Sequence, residues 1–244
     1  MLGVLVLMSV VAAVEVLPAA YGLVLTPSAA NGEGLIALAA VLVAQLACLA
    51  AARWGPVSPR RAPAGTVAAG ARVGAVAGGA YAALMVVEYL IPTFTAESKV
   101  DDATLTAIFV AAGYGVVSVL VAAACIAGAW GARLSSTLRG GVTAAVWAAI
   151  SEYLIWYPSV LITFYAFYGT AAQERWFRAE GEYEDMRRSG MTDIKAFATQ
   201  DFYGAGFFHL LAGIVLALLF GTGAAAVTIW IRRSRVPTTA GGPA

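Results

Sequence analysis

Six long apolar runs constrain this 244-residue chain more than any other feature of its sequence. A helix needs about 20 residues to cross the hydrocarbon core of a bilayer, and each run reaches that length or comes close to it. The runs are continuous and rich in Ala, Leu and Gly, whereas strands of a membrane barrel would alternate over about 10 residues. The sequence therefore predicts an all-α integral membrane protein with six transmembrane helices, near 2–25, 34–52, 71–93, 104–131, 140–168 and 204–231.

The composition agrees with a single membrane domain over residues 1–244. Charged residues make up 12% of the chain, about half of the roughly 25% found in an average soluble domain. A net charge of +1 gives no reason to expect nucleic acid as a partner. The expected surroundings are the lipid bilayer, and residues 236–244 are expected to form a disordered cytoplasmic tail.

Charge is segregated between the two sides of the predicted bundle. Segments between runs two and three, between runs four and five, and after run six hold nine arginines and no acid. The first two loops on the other side carry the acids Glu33, Glu97, Asp101 and Asp102. Because positively charged segments stay in the cytoplasm, both termini are expected inside and the acidic loops outside.

Three glutamates interrupt the apolar runs in one pattern, a Glu followed by Leu and then by Pro. An ionisable residue in a membrane helix usually faces the bundle interior or a water-filled cavity, which makes each Glu a candidate for binding an ion or a proton. Each proline removes a backbone donor and is a candidate helix kink. The glutamates are Glu15, Glu88 and Glu152, and the prolines are Pro18, Pro92 and Pro158.

The three glutamates are expected at similar depth, since each lies 13 to 16 residues beyond the cytoplasmic end of its helix, about 20–24 Å at 1.5 Å per residue. This favours one shared acidic site that opens toward the outside. The alternatives are that each carboxyl group is protonated and ties two helices together, or that all three lie close enough to the outer interface to be wet.

The odd-numbered helices carry these motifs, so the chain is expected to form three helical hairpins. Small residues predict close helix contacts at three places, because they let backbones approach each other. These places are "GARVGAVAGGA" (70–80), "AAGYG" (111–115) and "GTGAAA" (221–226).

The charged segment 169–203 is expected to form a helical hairpin outside the membrane. Helical signals favour an unbroken helix 5 that projects to about Ser189, with Gly190 as its C-cap and Thr192 as the next N-cap. Four apolar side chains in this segment are candidates for docking a partner: Trp176, Phe177, Tyr183 and Met186.

The stretch "YLIWYPSVLITFYAFY", the charged "EDMRRSGMTDIKAF" and the Gly-rich "GFFHLLAGIVLALLFGTG" together resemble a family of bacterial multi-pass proteins, domain of unknown function forty-one ninety-nine. The resemblance covers about helices 3 to 6. It implies a multi-pass topology in the bacterial cytoplasmic membrane and no activity. The amino-terminal hairpin is an addition to the family's pattern, and the charged loop carries more arginine.

The chain lacks the residues of common catalytic sites. His209 is the only histidine, which excludes the HExxH metalloprotease pattern. An interfacial hydrogen-bonding role is favoured for His209, with a single axial ligand to haem or chlorophyll left open. We expect no enzyme, no metal site and no cofactor.

Two functions are compatible with this sequence. The first is a non-catalytic subunit or scaffold of a membrane complex, which would associate with other subunits or with itself through the outer hairpin. The alternative is a small transporter or channel-like protein that binds a cation, proton or amine at the intramembrane glutamates.

Overall fold

The computed structural model describes residues 17–234, so Glu15 and the tail 236–244 lie outside the described residues. Within that range the chain is helical and contains no strand. The helices are α1 (17–25), α2 (Gly32–Trp54), α3 (Thr66–Phe94), α4 (Asp102–Ser135), α5 (Leu138–Ala166), α6 (Ala171–Glu180), α7 (Glu182–Ser189), α8 (Ile194–Leu216) and α9 (Thr222–Ser234). A short 3₁₀ turn, Pro27–Ala29, precedes α2, and a π-helical segment, Ala217–Gly221, joins α8 to α9.

Four helices among the described residues are long and apolar enough to cross a membrane. They are Thr66–Phe94, Asp102–Ser135, Leu138–Ala166 and the continuous Ile194–Ser234, and a shorter apolar helix covers Gly32–Cys48. Large apolar side chains lie exposed along their outer faces, for example Val110, Val117, Leu219 and Trp230. This surface suits a lipid bilayer, where apolar side chains need no burial against protein.

Polar side chains fix where most of these helices begin. An oxygen of the residue before the helix accepts a hydrogen bond from a backbone N–H of the first turn, which that turn cannot satisfy internally. The capping residues are Asn31, Asp101, Thr137, Thr170 and Asp193. The predicted second arm of the outer hairpin and predicted helix 6 form one continuous helix, which begins at Ile194, and its cap is Asp193 rather than Thr192.

Helix 5 does not continue to Ser189 as the sequence predicted. The helix ends at Ala166, and Gly169 adopts a φ of 74° in the turn that follows. Gly181 has a φ of 85° and separates α6 from α7, while Gly190 at φ 78° ends α7 as predicted. Glycine takes these left-handed conformations without the strain a side chain would cause. The segment is therefore two short helices folded back on the bundle.

Helix α5 occupies the centre of the bundle and packs mainly against α3 and α4, while α2 packs against α8. The α3–α5 contact depends on Gly70, Gly74 and Gly78. A Cβ atom added to Gly74 would lie 2.1 Å from the carbonyl oxygen of Ala148, and one on Gly70 would lie 2.1 Å from that of Ala144. This backbone approach confirms the predicted contact surface at 70–80. It also makes α3 and α5 close neighbours, although the three-hairpin prediction puts them in different hairpins.

The other two small-residue patterns have different outcomes. Gly221 packs against Ala145, where an added Cβ would come within 2.3 Å of a methyl group, so the 221–226 pattern is also a helix contact. Gly113 and Gly115 face open space. The contact predicted at 111–115 is therefore absent among the described residues, where an added Cβ at either glycine meets no atom within 4 Å.

Charged loops gather at opposite ends of the bundle. At one end, Arg139 donates to the carbonyl of Pro56, and Arg232 donates to that of Arg133. We call this the basic end. At the other, Arg178 pairs with Asp102 at 2.8 Å and Ser28 donates to Asp193 at 2.7 Å. We call this the acidic end.

Candidate functional site

A cavity of about 230 Å³ lies between the membrane helices and the α6–α7 segment. Helices α3, α4, α5, α6 and α8 and the start of α7 all contribute to its wall. Four of its fourteen lining residues carry a carboxyl group, and none carries a basic side chain: the four are Glu88, Glu180, Glu182 and Asp201. We call it the acidic cavity.

Glu88 is the buried carboxylate of this cavity. Its side chain projects from α3, the residue is only 7% exposed, and it has no hydrogen-bond or ion-pair partner among the described residues. Pro92, in the last turn of α3, has no N–H to donate to the carbonyl of Glu88 four residues earlier. A buried carboxylate without a partner is costly, so its position is one that a positively charged ligand would stabilise.

Three further carboxylates line the rim at the acidic end. Glu180 and Asp201 are exposed, and Glu182 is half-buried. Burial raises the pKa of Glu182 to about 8, and like charges nearby act in the same direction. Those charges belong to Asp201, Glu180 and Asp185. Burial raises the pKa of Glu180 as well, so the rim gains negative charge as the pH rises through about 8.

Two aromatic pairs form the walls. Tyr81 of α3 stacks on Trp156 of α5 with ring centroids 5.1 Å apart, and Trp176 of α6 stacks on Phe202 of α8 at 5.9 Å. All four rings line the cavity. The stacked rings give the wall a large apolar surface. Carboxylates and apolar ring surface together make the cavity complementary to a cation that carries alkyl groups.

Glu152 lies behind this wall and not in the acidic cavity. It is 1% exposed, and its two carboxyl oxygens lie 3.0 and 3.1 Å from Nε2 of His209 on α8. The imidazole stacks on Trp156 at 3.7 Å between centroids. The hypothesis of one shared acidic site therefore fails for the two described glutamates, because a helix partner holds Glu152 while Glu88 faces the cavity.

The three prolines predicted as helix kinks all lie in helices. Pro92 and Pro158 lie inside α3 and α5, and Pro18 lies in the described part of α1. Within residues 17–234, no group of three or more His, Cys, Asp or Glu side chains is placed to hold a metal ion.

The segment α6–α7 forms a cap over α3 and α4, and this changes the role of its aromatic residues. Trp176 and Phe177 are 5% and 1% exposed and belong to the hydrophobic core. Neither ring is available to dock a partner, because α6 lies against the bundle and does not project from it. Tyr183 donates to Glu174, and Met186 is half-buried on α7.

Arg175 attaches this cap to the end of α3. Its guanidinium group is buried and donates to three backbone carbonyls, those of Pro92 at 3.2 Å, Thr95 at 2.6 Å and Val100 at 2.6 Å. Hydrogen bonds to a charged group contribute about 1.5–3 kcal/mol each, and carbonyls that lose their donor inside the protein add a penalty.

Substitution Arg175→Gln is expected to loosen the cap selectively. Amide hydrogen exchange over 171–189 should become at least about tenfold faster, since a loss of roughly 1.4 kcal/mol in local stability has that effect. Arg187→Gln, on the exposed surface of α7, is the matched control and should leave exchange unchanged. Equal protection in both variants would show that Arg175 does not hold the cap.

Comparison of the chain with protein-family models, curated proteins and solved structures finds no match. The resemblance to the bacterial multi-pass family therefore stays a prediction.

Proposed function

We propose that this protein binds a small organic ammonium ion in the acidic cavity and carries it across the membrane as a small transporter. The observation that carries the proposal is Glu88, a carboxylate that is 7% exposed, lines a cavity and has no partner among the described residues. A structural carboxylate at that depth would have a hydrogen-bonding neighbour, as Glu152 does.

The surrounding cavity supports an organic cation in particular. Its walls offer the rings of Tyr81, Trp156 and Trp176, which complement alkyl groups. Its lining contains carboxylates and no basic group. A volume of about 230 Å³ falls just below the usual range of roughly 300–1,000 Å³ for ligand pockets, so the ligand is expected to be small.

The proposed topology follows from the charge distribution along the chain. Six transmembrane helices, with both termini and the basic end in the cytoplasm of a bacterium, would put the acidic cavity on the outer side. The ligand would then enter from outside, past the rim carboxylates Glu180 and Asp201. Such a rim attracts cations and raises their local concentration.

Uptake into liposomes tests this function. Purified protein in proteoliposomes is expected to take up radiolabelled tetramethylammonium saturably, above the level of empty liposomes, with competition by other alkylammonium ions. Neutral tert-butanol, of similar shape, should not compete, because the carboxylates discriminate by charge. Uptake equal to that of empty liposomes, together with no binding by the detergent-solubilised protein, would contradict the proposal.

The pH dependence of binding gives a second test of the rim. Tetramethylammonium keeps its charge at every pH, so changes in affinity report on the protein. The pKa of Glu182 is about 8, so its carboxyl group is mostly neutral at pH 6 and charged at pH 9. Affinity should therefore rise between these values, and Glu182→Gln should reduce that rise. The same rise in wild type and variant would exclude Glu182 as a contributor.

A scaffold function is the second candidate, supported by the surface of α7. This helix has no buried residue, and its exposed face alternates in charge, with Glu184 paired to Arg187 and Arg188. A partner subunit would dock on α7, with Tyr183 and Met186 at the edge, rather than on the aromatic residues of α6. Purification in mild detergent that brings a stoichiometric companion, lost after charge reversal on α7, would favour this function.

A further inference from the structure

The Glu152–His209 pair lies one aromatic layer behind the acidic cavity. Trp156 belongs to both the pair and the cavity. Its ring stacks on His209 with centroids 3.7 Å apart, and the same side chain lines the acidic cavity. Tyr81 repeats the pattern, with its ring 5.5 Å from that of His209 and in the cavity wall. A charge in the cavity therefore faces the imidazole across a layer of rings, with no intervening helix.

Glu152 also lines a second, much smaller cavity. This space of about 10 Å³ is formed by Glu152 together with small residues of α4, α5 and α8, such as Ala124, Ala148 and Gly213. Its volume is about that of one water molecule, and Glu152 is the only polar side chain among its described lining residues. Glu152 thus contacts both His209 and a small space inside the bundle.

Within residues 17–234, few other charges surround His209. Glu152 on α5 and Tyr81 on α3 are the titratable groups in contact with its ring, and Glu88 on α3 lies in the adjoining cavity. The part of α4 that reaches Glu152 contributes only apolar residues. Helix α2, which packs against α8, carries titratable side chains at its ends and one thiol along its length: Glu33, Arg53 and Cys48.

We propose that the Glu152–His209 pair is a proton-binding site coupled to the acidic cavity, so that an entering ammonium ion displaces a proton. The proposal rests on the proposed function. With its proton the pair is neutral overall, as carboxylate with imidazolium. Without it, carboxylate and neutral imidazole leave one negative charge. One cation enters and one proton leaves to water, so charge is conserved and no bond other than N–H or O–H changes.

The size of this coupling follows from electrostatics. Two unit charges about 10 Å apart, at an effective dielectric constant of about 20, interact strongly enough to change the binding affinity for the proton and for the cation by roughly tenfold. Because linkage is reciprocal, the cation weakens proton binding by the same factor as the proton weakens cation binding. At pH values near the midpoint of the proton titration, ammonium binding would therefore favour release of a proton.

Nuclear magnetic resonance of the wild-type protein tests this directly, because His209 is the only histidine in the chain. With ¹⁵N-labelled histidine, each imidazole nitrogen gives one signal, and a pH titration gives its midpoint. Saturating tetramethylammonium is expected to lower that midpoint by about one pH unit, the tenfold coupling expressed as a shift. A midpoint that does not move while tetramethylammonium binds would overturn the proposal. Absence of any binding would instead contradict the proposed function.

Glu152→Gln supplies an independent measurement. The amide keeps a hydrogen-bonding partner for His209 but removes the negative charge, so tetramethylammonium affinity at pH 9 should fall roughly tenfold. Glu33→Gln, an exposed acid at the start of α2, is the matched control and should have no effect. If the pair only holds α5 and α8 together, Glu152→Gln will lower thermal stability and leave affinity unchanged. Should that variant fail to fold, the wild-type titration decides alone.

Discussion

Replacement Glu88→Gln is expected to lower the affinity for tetramethylammonium at least tenfold and, at the same time, to raise the melting temperature. Affinity falls because the buried carboxylate supplies the main charge opposite the ligand, and tenfold corresponds to about 1.4 kcal/mol. Stability rises because the unliganded protein no longer holds, in a confined cavity, a carboxyl group that lacks a partner among the described residues. Opposite changes in affinity and stability are typical of a residue kept for binding.

Two further variants make this prediction specific. Glu33→Gln is the same substitution at the acidic end, outside the cavity, and is the control that should change neither quantity. Glu152→Gln, which is also expected to lower affinity, should differ from Glu88→Gln by lowering stability, because it weakens a paired carboxylate. Equilibrium binding and thermal unfolding in the same detergent measure all three variants. Unchanged affinity in Glu88→Gln would exclude Glu88 as the binding carboxylate.

The largest effect on stability is expected for Gly74→Leu. The first atom of any side chain here would lie 2.1 Å from the carbonyl oxygen of Ala148, and that oxygen belongs to the backbone of the central helix and cannot rotate away. Overpacking in a core usually costs about 1–3 kcal/mol, and a backbone clash should reach or exceed the upper value. Separation of α3 from α5 would also open the cavity wall formed by Tyr81 and Trp156.

Gly79→Leu is the matched control for this substitution. Gly79 lies on the same helix five residues later, and an added Cβ there meets nothing within 4 Å. The melting temperature should therefore stay close to that of the wild type, or rise slightly because leucine favours helix over glycine. Equal losses in both variants would mean that α3 and α5 are not in backbone contact.

Much of the framework was predictable from local patterns. Apolar runs marked the four helices of the described range that are long and apolar enough to cross a membrane, because a span needs a fixed length of apolar chain. The glycines at 70, 74 and 78 marked a close helix contact, because their spacing puts them on one face of a helix, but they did not identify α5 as the partner. Glu88 was predicted as a binding residue because a carboxylate inside an apolar segment is energetically unfavourable, and the structure puts it in a cavity.

The rest of the site depends on how distant segments meet, which local patterns do not encode. Strong helical signals through 169–189 hid the turn at Gly169, and that turn folds α6 back and brings Trp176, Glu180 and Glu182 to Glu88. The partner of Glu152 was likewise missed. The available signal for that pair was a single histidine and a carboxylate in different apolar runs. Whether they meet depends on how α8 is oriented about its axis, which local sequence patterns do not give.

The position of a bound ligand tests the central claim most directly. Crystals grown with tetramethylarsonium, an ammonium analogue whose arsenic atom scatters anomalously, locate the cation without reference to surrounding density. Ammonium binding in the acidic cavity predicts one arsenic site between the carboxylate of Glu88 and the rings of Trp156 and Trp176, lost in Glu88→Gln. Arsenic found only among the exposed acids of α7, such as Glu184 and Asp185, with an empty cavity, would contradict it.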